Sequence, residues 1–209
     1  FKIHEASDFV SVEIDGSLGK SQAYAAAAAA AIGIVLGMNL IQISEALWQY
    51  HGPNGRLKII SGINGSTIID DTYNASPAST RLALETLRDS PGLRKIAVLG
   101  DMLELGEHAI PAHQNIGALA DSCADILVCV GSRAKFIAEA SKMARDRIFT
   151  FDNSDDAKLK IRDLVRERDV ILVKGSQGIH MEKIVAEIMA EPQRKKELLV
   201  RQSKRWLSK

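Results

Sequence analysis

The sequence predicts an α/β protein with a doubly wound, mostly parallel sheet. From residue 56 onward, apolar runs of strand length alternate with segments of helical periodicity. Several of these runs end in polar or small residues, as strands do where a parallel sheet meets its loops. An alternation of strands and helices requires crossover connections, which are right-handed in nearly all proteins.

The alternation begins with two short apolar runs, 57–63 and 66–69, which are separated by Asn64 and Gly65. Asn-Gly favours a tight hairpin turn, so we predict that these two strands pair in antiparallel fashion. The elements expected after the hairpin are helices and strands in turn. Helices are predicted at 79–89, 111–121, 133–143, 155–166 and 180–189, and strands at 95–99, 126–130, 148–151 and 170–173.

A different pattern precedes the alternation. Residues 9–14 alternate apolar and polar side chains, which predicts an edge or antiparallel strand. The alanine run 25–31 predicts a helix that ends near Gly37, and a second helix is expected at 41–50. Glycine and proline cluster at 51–55, and we place a domain boundary there.

Composition excludes several classes of partner. The net charge is +1, which gives no electrostatic reason to expect nucleic acid or an anionic membrane. The longest uncharged stretch, 21–44, is mostly alanine and is too weakly apolar to predict a membrane span. Cys123 and Cys129 have no metal-ligand spacing, so we interpret them as buried thiols of a cytoplasmic protein.

Polar residues follow three of the predicted strands at their carboxyl ends. Asp70 and Asp71 follow the first strand, Asp101 follows the second, and Lys174 and Ser176 follow the third. In a doubly wound sheet these ends open onto the same rim, where ligands bind. Glycines near Ser176 would leave its backbone open to an anion. The sequence therefore predicts a site for a polar, charged ligand.

Each of these signals also has a purely structural interpretation. Residues 70–77 suit an Asx turn followed by a helix N-cap, Asp101 can cap a turn, and Glu104 can be solvated. His113 lies near a predicted helix start, where a hydrogen-bonding role is more common than catalysis. The sequence contains neither a G-x-x-x-x-G-K-[ST] loop nor a G-x-G-x-x-G fingerprint, and nothing in it resembles a Ser/His/Asp triad.

Four motifs, taken together, resemble those of the Mur ligase family in order and spacing. They are residues 70–77 (DDTYNASP), residues 98–106 (VLGDMLELG), His113 with Gly117, and residues 173–176 (VKGS). The resemblance extends from about residue 15 to about residue 190.

The resemblance implies three regions. Residues 1–52 would be the end of a central ATP-binding domain, residues 53–190 a Rossmann-like C-terminal domain, and residues 191–209 a charged C-terminal helix or tail. Because the sequence opens with Phe1 among strand-like residues, we expect further sequence upstream.

The resemblance also implies an ATP-dependent amide ligase of peptidoglycan precursor synthesis. Such an enzyme adds D-alanyl-D-alanine to UDP-N-acetylmuramoyl-tripeptide through an acyl phosphate. The implied cofactors are ATP and Mg²⁺, bound mainly by upstream sequence, so we expect this chain alone to be inactive and to hold no metal ligand. The implied partners are the UDP-N-acetylmuramoyl peptide and the dipeptide, and we expect a monomer.

The motif match implies two groups of site residues and no certain catalytic residue within this chain. The residues implied to face ATP are Arg56, Asp71, Tyr73 and Asn74. The residues implied to face the substrates are Asp101, Glu104, Lys174 and Ser176.

The chain departs from the family pattern at three places. Ser76 stands where the family usually has Asn, Gln177 stands where Arg is common, and residues 19–22 read GKSQ where G-x-His-Asn is usual. Two alternatives stay open. One is another ligase of the superfamily, of the folylpolyglutamate or cyanophycin type, and the other is a free-standing Rossmann-like binding module.

Overall fold

A computed structural model describes residues 1–203 and 206 of the chain. It divides into two compact units, Phe1–Pro53 and Asn54–Lys209. The division falls in the stretch where glycine and proline cluster. Assignment of these units to the central and C-terminal domains of a ligase stays a prediction.

The helices and strands are labelled in chain order. They are β1 (Lys2–Glu5), β2 (Asp8–Ser11), α1 (Lys20–Val35), α2 (Leu40–Trp48), β3 (Lys58–Ser61), β4 (Thr67–Asp71), α3 (Pro77–Asp89), β5 (Arg94–Gly100), α4 (Ala109–Ala120), β6 (Ile126–Val130), α5 (Lys135–Ala140), β7 (Ile148–Phe151), α6 (Ser154–Leu164), β8 (Asp169–Lys174), α7 (Glu182–Ile188) and α8 (Lys195–Leu198).

The first unit contains the hairpin β1–β2 and the helices α1 and α2. The antiparallel strand near residue 9 was predicted, and its partner β1 lies in the opening residues, which were described only as strand-like, without bounds. Gly37 follows α1 at φ +86°, the left-handed conformation expected of a residue that ends a helix. Asn39 and Gln42 form a capping box that starts α2. The buried apolar side chains of this unit are Ile3, Val12, Ala26, Ala30, Ile43 and Leu47.

The second unit is built on a sheet with the strand order β3–β4–β8–β5–β6–β7, counted over the described residues. All neighbours are parallel except β3 and β4. Fully buried apolar side chains from β4, β5, β6 and β8 form its core together with α6 and α7. The predicted fold class, α/β with a mostly parallel sheet, is confirmed.

The hairpin β3–β4 is antiparallel as predicted, but its connection is longer than the tight turn expected from Asn-Gly. The strands stop at Ser61 and restart at Thr67. Asn64 and Gly65 both adopt positive φ, at 56° and 69°, inside a short 3₁₀ turn. The Ser66 hydroxyl donates a hydrogen bond to the Ile63 carbonyl at 2.8 Å, which closes this turn before the strand resumes.

Helix α5 is shorter than the predicted span 133–143. Asp121 explains where it ends, because its carboxylate accepts hydrogen bonds from the Ser141 hydroxyl at 2.5 Å and from the Lys142 N–H at 2.9 Å. These bonds replace the continuation of the helix.

The C-terminal segment was expected to be a charged helix or tail. Among the described residues it contains the short helix α8, and residues 204–205 and 207–209 lie outside them. Leu199 is instead buried in the core, and the Arg201 side chain is only 5% exposed. Internal partners for Arg201, described below, account for this packing.

Cys123 and Cys129 are free and buried, as predicted for structural thiols, and burial raises the pKa of the Cys129 thiol to about 12. Among the described residues, none of the helices has the length and apolar character needed to cross a membrane.

Candidate functional site

The carboxyl ends of β4, β8 and β5 lie side by side and form one rim. In the register of the sheet, Asp71 is opposite Lys174, and Lys174 is opposite Leu99 on its other side. The structure therefore brings together the three strand ends that the sequence analysis placed on one rim.

Lys174 joins β8 to the turn that follows β4. Its ammonium group lies 2.6 Å from Asp71 Oδ2 and donates a second hydrogen bond to the Asn74 carbonyl at 3.0 Å. The side chain is 2% exposed, so both bonds are sheltered from water. A buried pair of this kind adds little net stability, but removal of one partner leaves a buried charge uncompensated. Lys174 and Asp71 therefore fix the shape of the rim.

Ser176 connects the loops that follow β4 and β5. Its hydroxyl accepts a hydrogen bond from the Leu103 N–H at 2.9 Å and donates one to the Ala75 carbonyl at 3.3 Å. Its own N–H donates to the Asp101 carbonyl at 2.9 Å. Ser176 is buried, so its hydrogen bonds support the rim from the interior of the protein.

Asp101 is buried and holds the start of α5. Its Oδ1 accepts hydrogen bonds from the N–H groups of Arg133 and Ala134 at 3.0 and 2.6 Å. Gly131, at φ +112°, passes close to the same carboxylate, because a Cβ there would lie 2.5 Å from Asp101 Oδ1. These contacts agree with the structural interpretation of Asp101 as a residue that caps a turn.

His113 holds the loop between β5 and α4. Its Nε2 accepts a hydrogen bond from the Met102 N–H at 3.0 Å, which requires the neutral ring to carry its proton on Nδ1. That nitrogen lies 2.6 Å from the Ala109 carbonyl and donates to it. Both ring nitrogens therefore form hydrogen bonds that hold the loop in place. Glu104, in the same loop, is exposed and has φ +62°.

Arg56 and Tyr73 form a stacked pair at the surface beside the rim. The guanidinium carbon lies 4.3 Å from the centre of the Tyr73 ring, within the range of a cation–π interaction. The Tyr73 N–H donates to the Gly55 carbonyl at 3.0 Å, which ties the two chain segments together. Tyr73 is 45% exposed, and Arg56 and Asn74 are exposed as well. The pair therefore places a cation and an aromatic ring at the surface beside the rim.

Asp70 lies behind this turn and is completely buried. Its Oδ1 accepts hydrogen bonds from the Thr72 N–H at 3.2 Å and from the Thr72 hydroxyl at 2.6 Å. Its Oδ2 has no hydrogen-bond partner among the described residues. Burial raises the pKa of Asp70 to about 6, against the lowering effect of the Thr72 hydrogen bonds, and the charges of Asp71 and Glu182 raise it further.

The predicted site residues thus fall into two structural groups. Arg56, Tyr73, Asn74 and Glu104 are exposed, whereas Asp71, Asp101, Lys174 and Ser176 are buried and support the rim. Direct contact of any of them with ATP or a substrate stays a prediction.

Two residues next to the site were missed by the sequence analysis. Arg201 donates a hydrogen bond to the Thr72 carbonyl at 2.9 Å and lies 3.0 Å from Glu182 Oε2. Both side chains are almost fully buried. An arginine in a charged C-terminal stretch carries no local signal of burial, so no sequence pattern could have found it.

The fold is that of a Rossmann-like α/β domain, and its candidate site lies at the carboxyl edge of the sheet, where ligands bind in such folds. Residues 55–177, more than half of the chain, match the family model described as "Mur ligase, glutamate ligase domain". The chain belongs to the Mur ligase family.

Curated relatives of the chain share one name, UDP-N-acetylmuramoyl-tripeptide--D-alanyl-D-alanine ligase. The chain is 32% identical to the Bacillus subtilis enzyme over 179 residues, which make up 84% of this chain and 39% of the relative. It is 32% identical to the Escherichia coli enzyme over 163 residues, 77% of this chain and 35% of the relative. The chain thus spans well under half the length of these relatives.

Solved structures give the same family. MurF from Acinetobacter baumannii superimposes with a TM-score of 0.78 at 31% identity, covering 90% of this chain and 41% of that one. MurF from Thermotoga maritima in complex with ADP superimposes with a TM-score of 0.75 at 26% identity, covering 91% of this chain and 41% of that one.

Proposed function

We propose that this chain is the C-terminal part of an ATP-dependent ligase that joins D-alanyl-D-alanine to UDP-N-acetylmuramoyl-tripeptide. The shared name of the relatives in Bacillus subtilis and Escherichia coli supports this activity. It favours this activity over a folylpolyglutamate- or cyanophycin-type ligase and over a free-standing binding module.

The observation that carries the proposal is the exposed Arg56–Tyr73 pair beside the buried Asp71–Lys174 pair. A guanidinium group donates hydrogen bonds to phosphate oxygens, and its partner ring keeps it extended at the surface. We assign Arg56, Tyr73 and Asn74 to the side of the site that faces ATP. The ADP complex of the Thermotoga maritima relative supports a nucleotide ligand.

The proposed reaction has two steps. The tripeptide carboxylate attacks the γ-phosphorus of ATP, which forms an acyl phosphate and releases ADP. The dipeptide amine then attacks the acyl carbon, phosphate leaves, and the nitrogen loses a proton as the amide forms. Both steps depend mainly on the positioning of charged groups, so different domains of one ligase can supply those groups.

Magnesium, when bound to such a ligase, neutralises phosphate charge. Across residues 1–203 and 206, no group of three or more His, Cys, Asp or Glu side chains could hold a metal ion. Asp71 is already paired with Lys174. We therefore assign no metal ligand to the described part of this chain and derive no step from one.

The surface of the first unit supports its proposed place in a larger ATP-binding domain. Along α1 and just beyond it, large apolar side chains are exposed, including Tyr24, Ile32, Val35 and Leu36. Apolar patches of this kind mark surfaces that other protein covers. We propose that the rest of the central ATP-binding domain covers this apolar surface.

We also propose that the protein is cytoplasmic, because the cytoplasm is a reducing compartment and suits the free cysteines. We further propose that the protein is a monomer.

The test is a ligation assay on the full-length protein that carries this chain. We expect product only when UDP-N-acetylmuramoyl-tripeptide, D-alanyl-D-alanine and ATP are all present, with one ADP formed per product, measured by mass spectrometry and coupled ADP detection. Failure to form product with any dipeptide tested would contradict the proposal.

Arg56→Ala tests the nucleotide-facing assignment. Because a lost phosphate contact weakens nucleotide binding, we expect the KM for ATP to rise by about tenfold or more. The matched control is Arg147→Ala, an exposed arginine just before β7 at the opposite edge of the sheet, which should leave the KM unchanged. An unchanged KM in Arg56→Ala would contradict the assignment.

A further inference from the structure

We propose that Arg201 is a positioning residue for the nucleotide-facing turn, Thr72–Tyr73. The inference rests on the proposed function, since it concerns the same site. It assigns to the C-terminal segment a role in ATP use that its charged, tail-like sequence did not suggest.

Arg201 contacts the backbone of the turn directly. Its guanidinium donates one hydrogen bond to the Thr72 carbonyl at 2.9 Å and another to the Tyr73 carbonyl. Glu182 holds the guanidinium in place from the other side, with its Oε2 at 3.0 Å. A planar, five-donor group suits this arrangement, because it reaches two carbonyls and a carboxylate at once.

The same segment also contacts the turn before β3, which carries Arg56. The Asn54 side-chain amide donates to the Glu197 carbonyl at 2.7 Å. Gly55 lies so close to Val200 that a Cβ on Gly55 would be 2.8 Å from Val200 Cγ1. Residues 197–201 therefore hold both chain segments whose side chains form the Arg56–Tyr73 pair.

These contacts position the Thr72–Tyr73 turn and take no direct part in the reaction. Arg201 is 5% exposed and touches main-chain carbonyls, so it does not meet the ligand itself. Without it, the carbonyls of Thr72 and Tyr73 lose these donors, and among the described residues the turn keeps only its hydrogen bonds to Asp70, Gly55 and Lys174. Tyr73 would then leave the plane in which it stacks with Arg56. The loop that follows β5 has hydrogen bonds of its own, from the Leu103 N–H to Ser176 and from the Met102 N–H to His113.

This separation predicts a selective kinetic effect. In the full-length ligase, Arg201→Ala should raise the KM for ATP by about tenfold and leave the KM for D-alanyl-D-alanine within about twofold. A loss of folded enzyme would instead lower kcat and leave both KM values unchanged. Lys196→Ala is the matched control, because it removes an exposed positive charge from the same segment. We expect it to change neither KM.

Arg201→Lys provides a second variant if Arg201→Ala does not fold. A lysine keeps the charge opposite Glu182 but cannot match the geometry of the guanidinium, so the KM for ATP should rise by less than in Arg201→Ala. The inference is overturned if the variant that folds keeps the KM for ATP of the unsubstituted enzyme, or loses kcat alone. Absence of ligation by the unsubstituted enzyme would instead refute the proposed function, and no variant is needed to see that result.

Discussion

Asp70 combines complete burial with a carboxylate oxygen that has no hydrogen-bond partner among the described residues. Burial raises its pKa from 3.8 to about 6 in the folded protein. Between these two pH values, the folded state binds more protons at this group than the unfolded state does. The stability that this group contributes is therefore complete below about pH 4 and is lost as the pH rises through 6.

Asp70→Asn should remove this pH dependence. The amide oxygen can still accept the hydrogen bonds from Thr72, but the side chain no longer ionises. Relative to the unsubstituted chain, we expect the free energy of unfolding of the variant to rise by about 1 kcal/mol or more between pH 5 and pH 7.5. Urea denaturation of both proteins at each pH measures the difference. Parallel pH profiles would contradict the pKa assigned to Asp70.

Ser76 begins helix α3 and explains why this helix starts earlier than predicted. Its hydroxyl accepts a hydrogen bond from the Ser79 N–H at 3.3 Å, and the Ser79 hydroxyl accepts one from the Ser76 N–H at 3.0 Å. Pro77 occupies the first helical position, where no N–H is needed. The N-cap interpretation of this turn is therefore confirmed, alongside the Asx-type contact of Asp70 with Thr72.

Substitutions at Ser76 separate capping from any other role. Ser76→Ala should lower the free energy of unfolding by about 1 kcal/mol because the helix loses its cap. Ser76→Asn, the residue common in the family, caps as well as serine and should change the free energy by less than about 0.5 kcal/mol. Denaturant unfolding of the two variants provides the comparison. Equal destabilisation by both would show that the cap is not what Ser76 contributes.

Elements were predictable where the determining pattern was local. The buried strands β4, β5, β6 and β8 were predicted from their apolar runs. The helices that cover them were predicted from their helical periodicity. The errors arose where a distant residue decides the outcome. Asp121, which lies 20 residues before Ser141 in the chain, shortens α5.

At the scale of the whole molecule, the rule that ligands bind at the carboxyl edge was enough to place Asp71, Asp101 and Lys174 on one rim. The contacts that build the rim were not predictable. Lys174 reaches Asp71 across a sequence separation of 103 residues, and Arg201 reaches Thr72 across 129. The first contact depends on β8 lying next to β4, a neighbour relation that the strand-by-strand patterns do not specify.

The 209-residue chain alone should release no phosphate from ATP. Its sequence lacks the G-x-x-x-x-G-K-[ST] loop that cradles triphosphates, and we propose that another part of the ligase supplies it. A malachite green assay with the full-length protein as positive control measures the release. Robust, ATP-dependent release from the isolated chain would contradict the proposed division of the site.

The strand order also has a consequence for biosynthesis. A ribosome makes β4 long before β8, so one edge of β4 stays unpaired in the nascent chain. Arg201 follows Thr72 by 129 residues, which at bacterial elongation rates corresponds to roughly 10 s of translation. Until Arg201 has been made, the Thr72–Tyr73 turn lacks the later of its two long-range supports, Lys174 and Arg201. A message truncated shortly before the codon for Arg201 would therefore yield a chain that contains strands β3 to β8, but in which the Thr72–Tyr73 turn, proposed to face ATP, lacks its support from Arg201.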